Sequence, residues 1–565
     1  MGGARRDAPW IMGINASHNG AVCLLHGDRI VAAIQEERLT RIKRQRLYGV
    51  TPALSIAYCL AHAGIEAGDL DLIVTSVQGR SRDPVYDFTR NRILRPLQNG
   101  VRLEHVSHHR AHAISAFALS GFSDSAVLVA DGSGSPWEDL PADERAIVLR
   151  QAKGGFETAS LYQAAGTQLA PLEKHLADNG DWLAGSEQAM PCFGGLGDMY
   201  AAAAKQIFDD VLEPGKVMGL AALGKATFPP EAFFSIENDG FVYHDTVPRA
   251  FQFGGRWPQH REAYQDLACS TQEALEQGVL HLARRLRERT GSPRLCYAGG
   301  VALNGIANER LFSESGFEDI FIMPPADDSG VAVGAAFWGL WQLTGVNSRV
   351  QLAADAFGRT YETHEIEAAA KSVGSVHLFR ESDTIEAAVD RICDGQIIGW
   401  FFGGSELGPR ALGQRSIICD PRQPDMPAQL NGRIKRRESF RPFAPAILEE
   451  AVPDWFETSG ADTRSPFMLR VSLFKEAQRS KVPAVVHADG TGRLQTVTRE
   501  ANGPFRELVE AFNRRTSVPI LLNTSFNGPG EPIVESPADA LRCMLTNGLD
   551  ACVFPGMIAV RAEAA

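Results

Sequence analysis

The sequence predicts an α/β protein in which a duplicated unit is followed by a second unit of different design. Three short β-type runs, at residues 10–15, 20–25 and 30–35, come first, and alternating strand and helix patterns follow up to residue 119. The same order of elements begins again at residue 125. The 565 residues also exceed what one core usually holds, since domains contain about 100 to 200 residues each. These observations predict several folding units, two of which share one plan.

In the first repeat, polar turns at residues 16–19 and 26–28 separate the three β-type runs. A helix is predicted to begin at Thr51-Pro52 and to end at Ala63, because Thr is a common N-cap and Pro is tolerated in the first turn. The remaining patterns are strands at residues 70–77 and 101–106 and a helix at residues 113–119.

The second repeat contains strand patterns at residues 125–131, 146–151, 158–162, 294–298 and 319–323. Helices are predicted to begin at Asn304 and Ser329. A duplicated order of this kind fits the actin-like and sugar-kinase-like (ASKHA) ATPase architecture, in which a nucleotide lies between two similar halves. We assign residues 1–352 to this unit.

Composition narrows the class of partner. The net charge of −12 and the pI near 5.7 disfavour a nucleic-acid partner, because neutralising phosphates requires an excess of Lys and Arg. The nine cysteines include no CxxC pair, which indicates buried thiols in a reducing compartment and no zinc ribbon. No run of 18 apolar residues occurs, and no long apolar segment follows the basic N-terminus. We therefore expect a cytoplasmic protein with no membrane partner.

Two histidines suggest a metal site. His108 and His112 are four residues apart, so on a helix their Cβ atoms lie about 5 to 6 Å apart on one face and both imidazoles can reach one divalent metal. The same spacing also occurs in helices that merely begin with a partly buried, His-rich turn. Other ligands have to come from elsewhere in the chain.

Three polar turns follow strand patterns in the second repeat. Asp131-Gly132 can be a hairpin turn, and Asp328 before Ser329 can be an ordinary helix cap. Gly299-Gly300 precedes a helix, where a bare backbone can approach a phosphate or adenosine closely. Each turn therefore has both a structural and a functional interpretation.

The second unit carries a cationic stretch. Polar residues 353–372 are predicted to be a linker, and residues 373–565 to form the second unit, with a helix at 384–393 and a strand at 397–401. The run from Arg433 to Arg441 is interrupted by Phe440 and continues into apolar residues 444–448. A basic run is usually a solvated face, but cations on a partly buried element favour small, dense anions.

Motifs in both units together resemble the O-carbamoyltransferases of antibiotic and nodulation-factor biosynthesis. Those of the first unit are His18-Asn19-Gly20-Ala21, Glu36-Glu37-Arg38-Leu39-Thr40-Arg41-Ile42-Lys43, His108-x-x-x-His112, Asp131-Gly132, Gly215-Lys216-Val217-Met218-Gly219-Leu220-Ala221, Gly299-Gly300-Val301-Ala302-Leu303-Asn304 and Asp328-Ser329-Gly330. Those of the second unit are Gly408-Pro409-Arg410-Ala411-Leu412-Gly413, Lys435-x-Arg437-Glu438-x-Phe440-Arg441-Pro442-Phe443-Ala444-Pro445, residues 489–497 and Leu522-Asn523-Thr524-Ser525-Phe526-Asn527.

For the first unit, the resemblance implies a metal, commonly iron or a similar divalent ion, held by His108, His112, Asp131 and Asp328. His18 matches the general base of the family, a task that suits an imidazole near neutral pH. Lys43 keeps its place, with a phosphate or carbonyl contact. The residues implied to bind the nucleotide or carbamoyl adenylate are Gly132, Gly299, Gly300 and Asn304.

The second unit is similar to the YrdC-like, carbamoyl-adenylate-forming subunit of the tRNA threonylcarbamoyladenosine pathway. The residues implied to surround carbamoyl phosphate and ATP are Arg410, Lys435, Arg441, Arg493, Asn523 and Ser525. Arg436 carries little weight, because several residue types occupy that position in the family. ATP would bring Mg²⁺ with it.

These features predict an O-carbamoyltransferase that makes carbamoyl adenylate from carbamoyl phosphate and ATP and then carbamoylates a hydroxyl of a small secondary metabolite. The alternatives are a tRNA threonylcarbamoylation enzyme and a sugar-kinase-like ATP-binding protein. Residues 168–193 match no motif and are either a lid over a bulky acceptor or a packed loop. The sequence indicates neither the identity of the acceptor nor the oligomeric state.

Overall fold

A computed structural model describes residues 8–47, 53–78, 100–149, 155–177, 194–244, 246–247, 255–347, 350–457 and 463–562. The predicted helix start at Thr51-Pro52 lies outside these ranges, as do residues 178–193 of the segment interpreted as a lid or a loop.

Two five-stranded sheets form the first unit, and they have the same topology. The first contains β1 (Trp10–Asn15), β2 (Ala21–His26), β3 (Arg29–Gln35), β4 (Leu72–Ser76) and β5 (Arg102–His105), in the order β3-β2-β1-β4-β5. The second contains β6 (Asp124–Ala130), β7 (Phe156–Ala165), β8 (Gln168–Ala177), β11 (Arg294–Ala298) and β12 (Asp319–Ile322), in the order β12-β11-β6-β7-β8, while β9 (Phe234–Glu237) and β10 (Gly240–Tyr243) form a separate hairpin. In each sheet the first three strands pair antiparallel and the last two join in parallel. This repetition confirms the predicted duplication.

The helices of the first unit cover both sheets and fill the space between them. They are α1 (Glu36–Thr40), α2 (Leu54–Ala63), α3 (His108–Leu119), α4 (Ala142–Arg145), α5 (Leu196–Phe208), α6 (Pro214–Ala221), α7 (Arg261–Thr290), α8 (Gly305–Glu314) and α9 (Ser329–Thr344).

Helices α3 and α9 share one core cluster with strands of both sheets. Glycines permit their close approach, since a Cβ on Gly334 of α9 would lie 1.8 Å from the carbonyl oxygen of Ala111 in α3. A Cβ on Gly13 of β1 would similarly lie 2.0 Å from the carbonyl oxygen of Ala332. The start of α9 is therefore held beside the start of α3.

One predicted strand is wrong, and a different segment takes its place. Residues 146–149 form a turn after α4, with only an isolated bridge from Val148 to Lys174. The third strand of this sheet is instead β8, the first part of the segment interpreted as a lid or a loop. Its sequence obscures the strand, because Pro171 faces a register shift and the buried Lys174 pairs with Glu157 across the sheet.

The second unit is built on one mixed sheet of ten strands. They are β13 (Val376–Arg380), β14 (Ile398–Phe401), β15 (Arg415–Cys419), β16 (Ala444–Leu448), β17 (Phe456–Glu457), β18 (Arg470–Phe474), β19 (Thr491–Val497), β20 (Ile520–Ser525), β21 (Ala551–Phe554) and β22 (Met557–Arg561). Their order is β13-β22-β21-β14-β15-β20-β16-β19-β18-β17. The α/β class and the C-terminal α/β unit are therefore confirmed.

Seven helices of the second unit are described. They are α10 (Thr363–Val373), α11 (Thr384–Cys393), α12 (Met426–Gln429), α13 (Val452–Trp455), α14 (Glu476–Arg479), α15 (Arg499–Thr516) and α16 (Pro537–Asn547). Helix α10 occupies the end of the predicted linker and packs against α16, and the division of the chain at residues 353–372 stays a prediction. Among the helices described here and above, none has the length and apolar character needed to cross a bilayer.

Candidate functional site

The four predicted metal ligands converge on one buried point. His108 and His112 lie in the first two turns of α3, with ring centroids 4.8 Å apart. The Nε2 atom of His108 lies 3.4 Å from a carboxylate oxygen of Asp131 and 3.4 Å from one of Asp328. The same two oxygens lie 3.7 and 3.8 Å from Nε2 of His112. The structure therefore brings together two helix residues, a residue after β6 and a residue before α9.

The spacing of these atoms fits a cation. The separations exceed the 2.7 to 3.2 Å usual for hydrogen bonds, whereas four ligands about 2.1 Å from a tetrahedral ion lie about 3.4 Å from one another. Within the described residues, Nε2 of His112 has no hydrogen-bond partner although it is buried. Two imidazoles and two carboxylates suit a first-row divalent metal, without distinguishing iron from zinc or manganese.

Neighbouring groups hold the outer oxygens of both carboxylates. The backbone N–H of Gly300 donates to Oδ1 of Asp131 at 2.9 Å, and the hydroxyl of Ser17 donates to Oδ2 of Asp328 at 2.6 Å. The remaining oxygen of each carboxylate faces the histidines. Such outer contacts orient metal ligands, and the sequence did not predict the role of Ser17.

Electrostatics around this cluster favour positive charge. Burial lowers the pKa of His108, but the carboxylates of Asp328 and Asp131 outweigh it and raise the pKa to about 10. Burial raises the pKa of Asp131, yet His108 and His112 bring it to about 2. Burial also opposes ionisation of Asp328, but His18 and His108 hold its pKa well below its usual range. The two carboxylates of the cluster therefore stabilise a positive charge between them.

His18 and Lys43, the two predicted catalytic residues, both line the cavity beside this cluster. Nδ1 of His18 lies 3.2 Å from Oδ2 of Asp328, and the His18 side chain is 23% exposed. Lys43 follows α1, and burial together with Arg44 lowers its pKa. His18 is thus next to the candidate metal ligands and partly exposed to the cavity.

The residues predicted to bind the nucleotide have two different roles in the structure. Gly132, Gly300 and Asn304 line the cavity, and the Asn304 side chain also caps α8. Gly299 has φ +94°, and a Cβ there would lie 2.2 Å from the carbonyl oxygen of Ala130, so only glycine fits. It shapes the turn and is not part of the cavity wall.

The second unit contributes a cluster of cations to the same cavity. Its members are Arg410, Lys435, Arg437, Arg441 and Arg493. Burial, reinforced by Arg441, lowers the pKa of Arg410 to about 10 and that of Arg437 to about 9. The pKa of Arg493 is lowered well below its ordinary value, by burial and by three surrounding arginines. The Nε atoms of Arg410 and Arg493 are buried and have no partner in the described part of the chain. Such a cluster requires anions to balance it.

Two of the other predicted residues lie close to this cluster. Nζ of Lys435 donates to the carbonyl oxygens of Ser525 and Asn527, at 2.5 and 3.0 Å, and to Oδ1 of Asn527 at 2.7 Å. Ser525 lines the cavity. Asn523 lies beneath the wall, where its amide donates to Gln495 and to the carbonyl oxygen of Ala411. Lys435 therefore positions the loop after β20 as well as supplying charge.

Arg437 is a member of the cluster to which the sequence assigned no role. The Lys-x-Arg-Glu motif contains it, but a run of basic residues does not show which side chains point inward. A π-helical turn, Leu430–Lys435, followed by Arg436 with φ +43°, reverses the chain here. This turn directs Arg437 towards Asn431, whose Oδ1 accepts from its Nε at 2.8 Å.

One cavity of about 960 Å³ connects the two clusters. Its wall includes His18 and Asp131 of the first unit and Arg441 and Arg493 of the second unit. The chain therefore combines a duplicated α/β unit that carries a candidate metal centre with a second α/β unit that carries a candidate anion site.

Comparison with known proteins identifies the family. Residues 10–87 and 97–337 match the family model described as Carbamoyltransferase N-terminus, and residues 389–561 match Carbamoyltransferase C-terminus. These matches span most of the chain, which therefore belongs to the carbamoyltransferase family. The resemblance recognised in the sequence is confirmed, and the protein is a carbamoyltransferase.

Two nodulation proteins are similar to most of the chain. Nodulation protein NolNO of Sinorhizobium fredii is 35% identical over 95% of this chain and 78% of its own length. Nodulation protein NolO of Bradyrhizobium diazoefficiens is 36% identical over 79% of this chain and 77% of its own length. Among solved structures, HypF of T. kodakarensis is 16% identical over 61% of this chain and 50% of that chain, with a TM-score of 0.40, and the likeness is too low to support an argument.

Proposed function

We propose that the protein is an ATP-dependent O-carbamoyltransferase that makes carbamoyl adenylate at the cationic cluster and transfers its carbamoyl group to a hydroxyl beside the His/Asp cluster. The observation that carries this proposal is the shared cavity, whose wall contains Asp131 of the His/Asp cluster, the neighbouring His18 and all five members of the cationic cluster. A mixed anhydride hydrolyses readily in water, so enclosed passage between two sites preserves it.

At the cationic cluster, the substrates would be carbamoyl phosphate and ATP with Mg²⁺. Water releases phosphate from carbamoyl phosphate and leaves carbamate, and a carbamate oxygen then displaces pyrophosphate from the α-phosphorus of ATP. Both steps concentrate negative charge on phosphoryl oxygens. Arg441 and Arg493 line the same cavity, and in this proposal their guanidinium groups offset that charge.

At the N-terminal site, His18 takes the proton of the acceptor hydroxyl as its oxygen attacks the carbamoyl carbon, and AMP leaves. Asp328 lies 3.2 Å from the ring and stabilises the imidazolium that results. A divalent metal held by His108, His112, Asp131 and Asp328 would supply Lewis-acid polarisation when bound. The backbone of Gly132 and Gly300 in the cavity wall leaves room for the adenylate.

The acceptor we propose is a hydroxyl on a small secondary metabolite. The nodulation proteins among the relatives support a small-molecule acceptor. The net charge of −12 disfavours tRNA as the acceptor.

The first experiment supplies carbamoyl phosphate, ATP and Mg²⁺ without acceptor. Mass spectrometry detects carbamoyl adenylate, and a coupled assay measures the release of pyrophosphate. Arg441→Ala should reduce both by about 100- to 1,000-fold, as expected when one preorganised charge is removed from a phosphoryl-transfer site. Arg433→Ala is the matched control, because Arg433 belongs to the same basic run but pairs with Asp550 at the surface, at 2.6 Å. It should retain the wild-type rate.

Formation of ADP in place of AMP and pyrophosphate would contradict the proposal and support a kinase-like reaction. Passage through the cavity has its own test. If a large excess of Arg441→Ala protein, which retains the acceptor site, intercepts carbamoyl groups from wild-type enzyme during steady-state turnover, the intermediate passes through solvent.

A further inference from the structure

A short helix of the first unit reaches across to the second unit. Arg38, in α1, is 1% exposed. Its Nη2 donates to the carbonyl oxygen of Gly408 at 2.6 Å, and its Nε donates to Oε1 of Gln35 at 3.2 Å. A buried guanidinium of the first unit is thus hydrogen-bonded to the loop that carries Arg410.

Arg41, immediately after α1, makes a parallel contact. Its Nη1 donates to the carbonyl oxygen of Ile533 at 2.7 Å, and its Nη2 donates to that of Pro532 at 2.8 Å. Arg41 has φ +61°, so the chain turns sharply at this residue. Two arginines within four positions therefore donate hydrogen bonds to backbone carbonyl oxygens in two separate loops of the second unit.

The loop that Arg38 contacts is built to place Arg410. Gly408 has φ +103°, and a Cβ there would lie 3.1 Å from Pro325 of the first unit. Nη2 of Arg410, two residues on, lies 3.5 Å from the carbonyl oxygen of Leu303. Arg410 is therefore set by contacts with the first unit on both sides.

The loop that Arg41 contacts supports the other side of the cationic cluster. The amide of Asn527 donates to the carbonyl oxygen of Glu531 at 2.7 Å, one residue before Pro532. The side-chain oxygen and carbonyl oxygen of Asn527 in turn accept from Lys435. Movement of residues 531–533 would therefore shift Asn527 and weaken the hydrogen bonds that position Lys435.

We propose that Arg38 and Arg41 are positioning residues for the C-terminal site, so that adenylate formation depends on contacts from the N-terminal unit. The reaction assigned to that site rests on the proposed function, whereas the contacts do not. A stabilising role alone explains Arg38 poorly. Its ion pair with Glu37 is long, at 4.0 Å, its Nη1 is buried without a hydrogen-bond partner in the described residues, and an apolar residue costs less to bury than a guanidinium. Lysine is a poor substitute, since one ammonium lacks the planar fork that joins Gln35 and Gly408.

The test measures exchange of labelled pyrophosphate into ATP in the presence of carbamoyl phosphate, which reports the first reaction alone. Arg38→Lys and Arg41→Met should each lower kcat/KM for exchange by about 10- to 100-fold, because misplacing charged groups by a fraction of an ångström weakens transition-state contacts. Arg102→Met is the matched control, since Arg102 is 58% exposed and pairs only with surface Glu104 in the described structure. Binding of the divalent metal to the N-terminal cluster should stay at the wild-type affinity in all three, which shows that the first unit remains folded.

A second measurement separates positioning from general stability. If Arg38 acts through Arg410, then Arg38→Lys should have little further effect on exchange in an Arg410→Ala background. Additive losses, or wild-type exchange by folded Arg38→Lys and Arg41→Met proteins, would overturn the inference. If wild-type protein shows no exchange of pyrophosphate into ATP, the proposed function fails. The inference is then decided by amide hydrogen exchange. The backbone N–H groups of Leu412 and Gln414, just after Arg410, donate to Oε1 of Glu406. Faster hydrogen exchange of these two amides in Arg38→Lys would support the inference, and unchanged hydrogen exchange would refute it.

Discussion

The His/Asp cluster and the cationic cluster, which the shared cavity joins through Asp131, are electrostatic opposites. At the N-terminal cluster, two carboxylates raise the pKa of a histidine, and histidines lower the pKa values of the carboxylates. At the C-terminal cluster, burial and mutual repulsion lower the pKa values of Arg410, Lys435 and Arg437. One site favours a cation and the other favours anions. The charge of each cluster is therefore opposite to that of the ligand proposed for it.

The largest expected effect is a crossed loss of function at the two clusters. Asp328→Asn removes a charged ligand from the first cluster and should abolish metal binding and carbamoyl transfer while pyrophosphate exchange continues. Arg493→Ala should lower exchange by about 100- to 1,000-fold and leave metal affinity unchanged. Metal titration and exchange assays on both variants check this. If either variant loses both functions while remaining folded, the two clusters are not separate sites.

The next effect concerns the support of the metal ligands. Ser17→Ala removes the hydroxyl that donates to Asp328 at 2.6 Å, so the carboxylate can rotate away from the histidines. Metal affinity should fall by about 10- to 100-fold, as for other outer contacts of metal ligands. Equilibrium competition with a chelator measures it. Ser123→Ala, which removes a hydroxyl bonded to the neighbouring Asp124 away from the cluster, should have no effect.

Two adjacent arginines test whether the placement of individual charges in the cationic cluster governs ATP binding. Arg437 is partly buried and its pKa is lowered to about 9, whereas Arg436 is exposed, although both line the cavity. Arg437→Ala should raise KM for ATP by about tenfold, the value of one charge-assisted hydrogen bond. Arg436→Ala should leave KM near the wild-type value. Equal effects of the two substitutions would show that long-range charge, not placement, governs ATP binding.

Much of this arrangement could be predicted because the signals are local. The duplicated order of β-type runs, the His-x-x-x-His spacing and the capped start of α8 at Asn304 all lie within short stretches. Strand β8 could not be predicted, because its buried Lys174 is stabilised by Glu157 and Tyr162 from a neighbouring strand. The contact between Ser17 and Asp328 is equally non-local, since 311 residues separate them. The roles of the individual site residues stay predictions.

The smallest expected effect is a pH dependence of anion binding. Burial, assisted by Arg437, lowers the pKa of Lys435 from 10.5 to about 7. In the unfolded chain Lys435 keeps its proton up to the higher pKa, so between these two values the unfolded state binds more protons and the stability of the fold rises with pH. Bound polyphosphate favours the charged ammonium. Binding of pyrophosphate above pH 7 should therefore take up a proton, and its affinity should fall as the pH rises.

Calorimetry in two buffers of different ionisation enthalpy measures this proton uptake. Lys435→Met should bind pyrophosphate more weakly and without the uptake, whereas Arg437→Ala should retain it. Uptake that persists in Lys435→Met would assign the proton to another group. If wild-type protein shows none, the three hydrogen bonds from Lys435 to Ser525 and Asn527 keep the ammonium charged in the free enzyme. In that case the lysine fixes the loop after β20, and the arginines alone respond to the arrival of the anion.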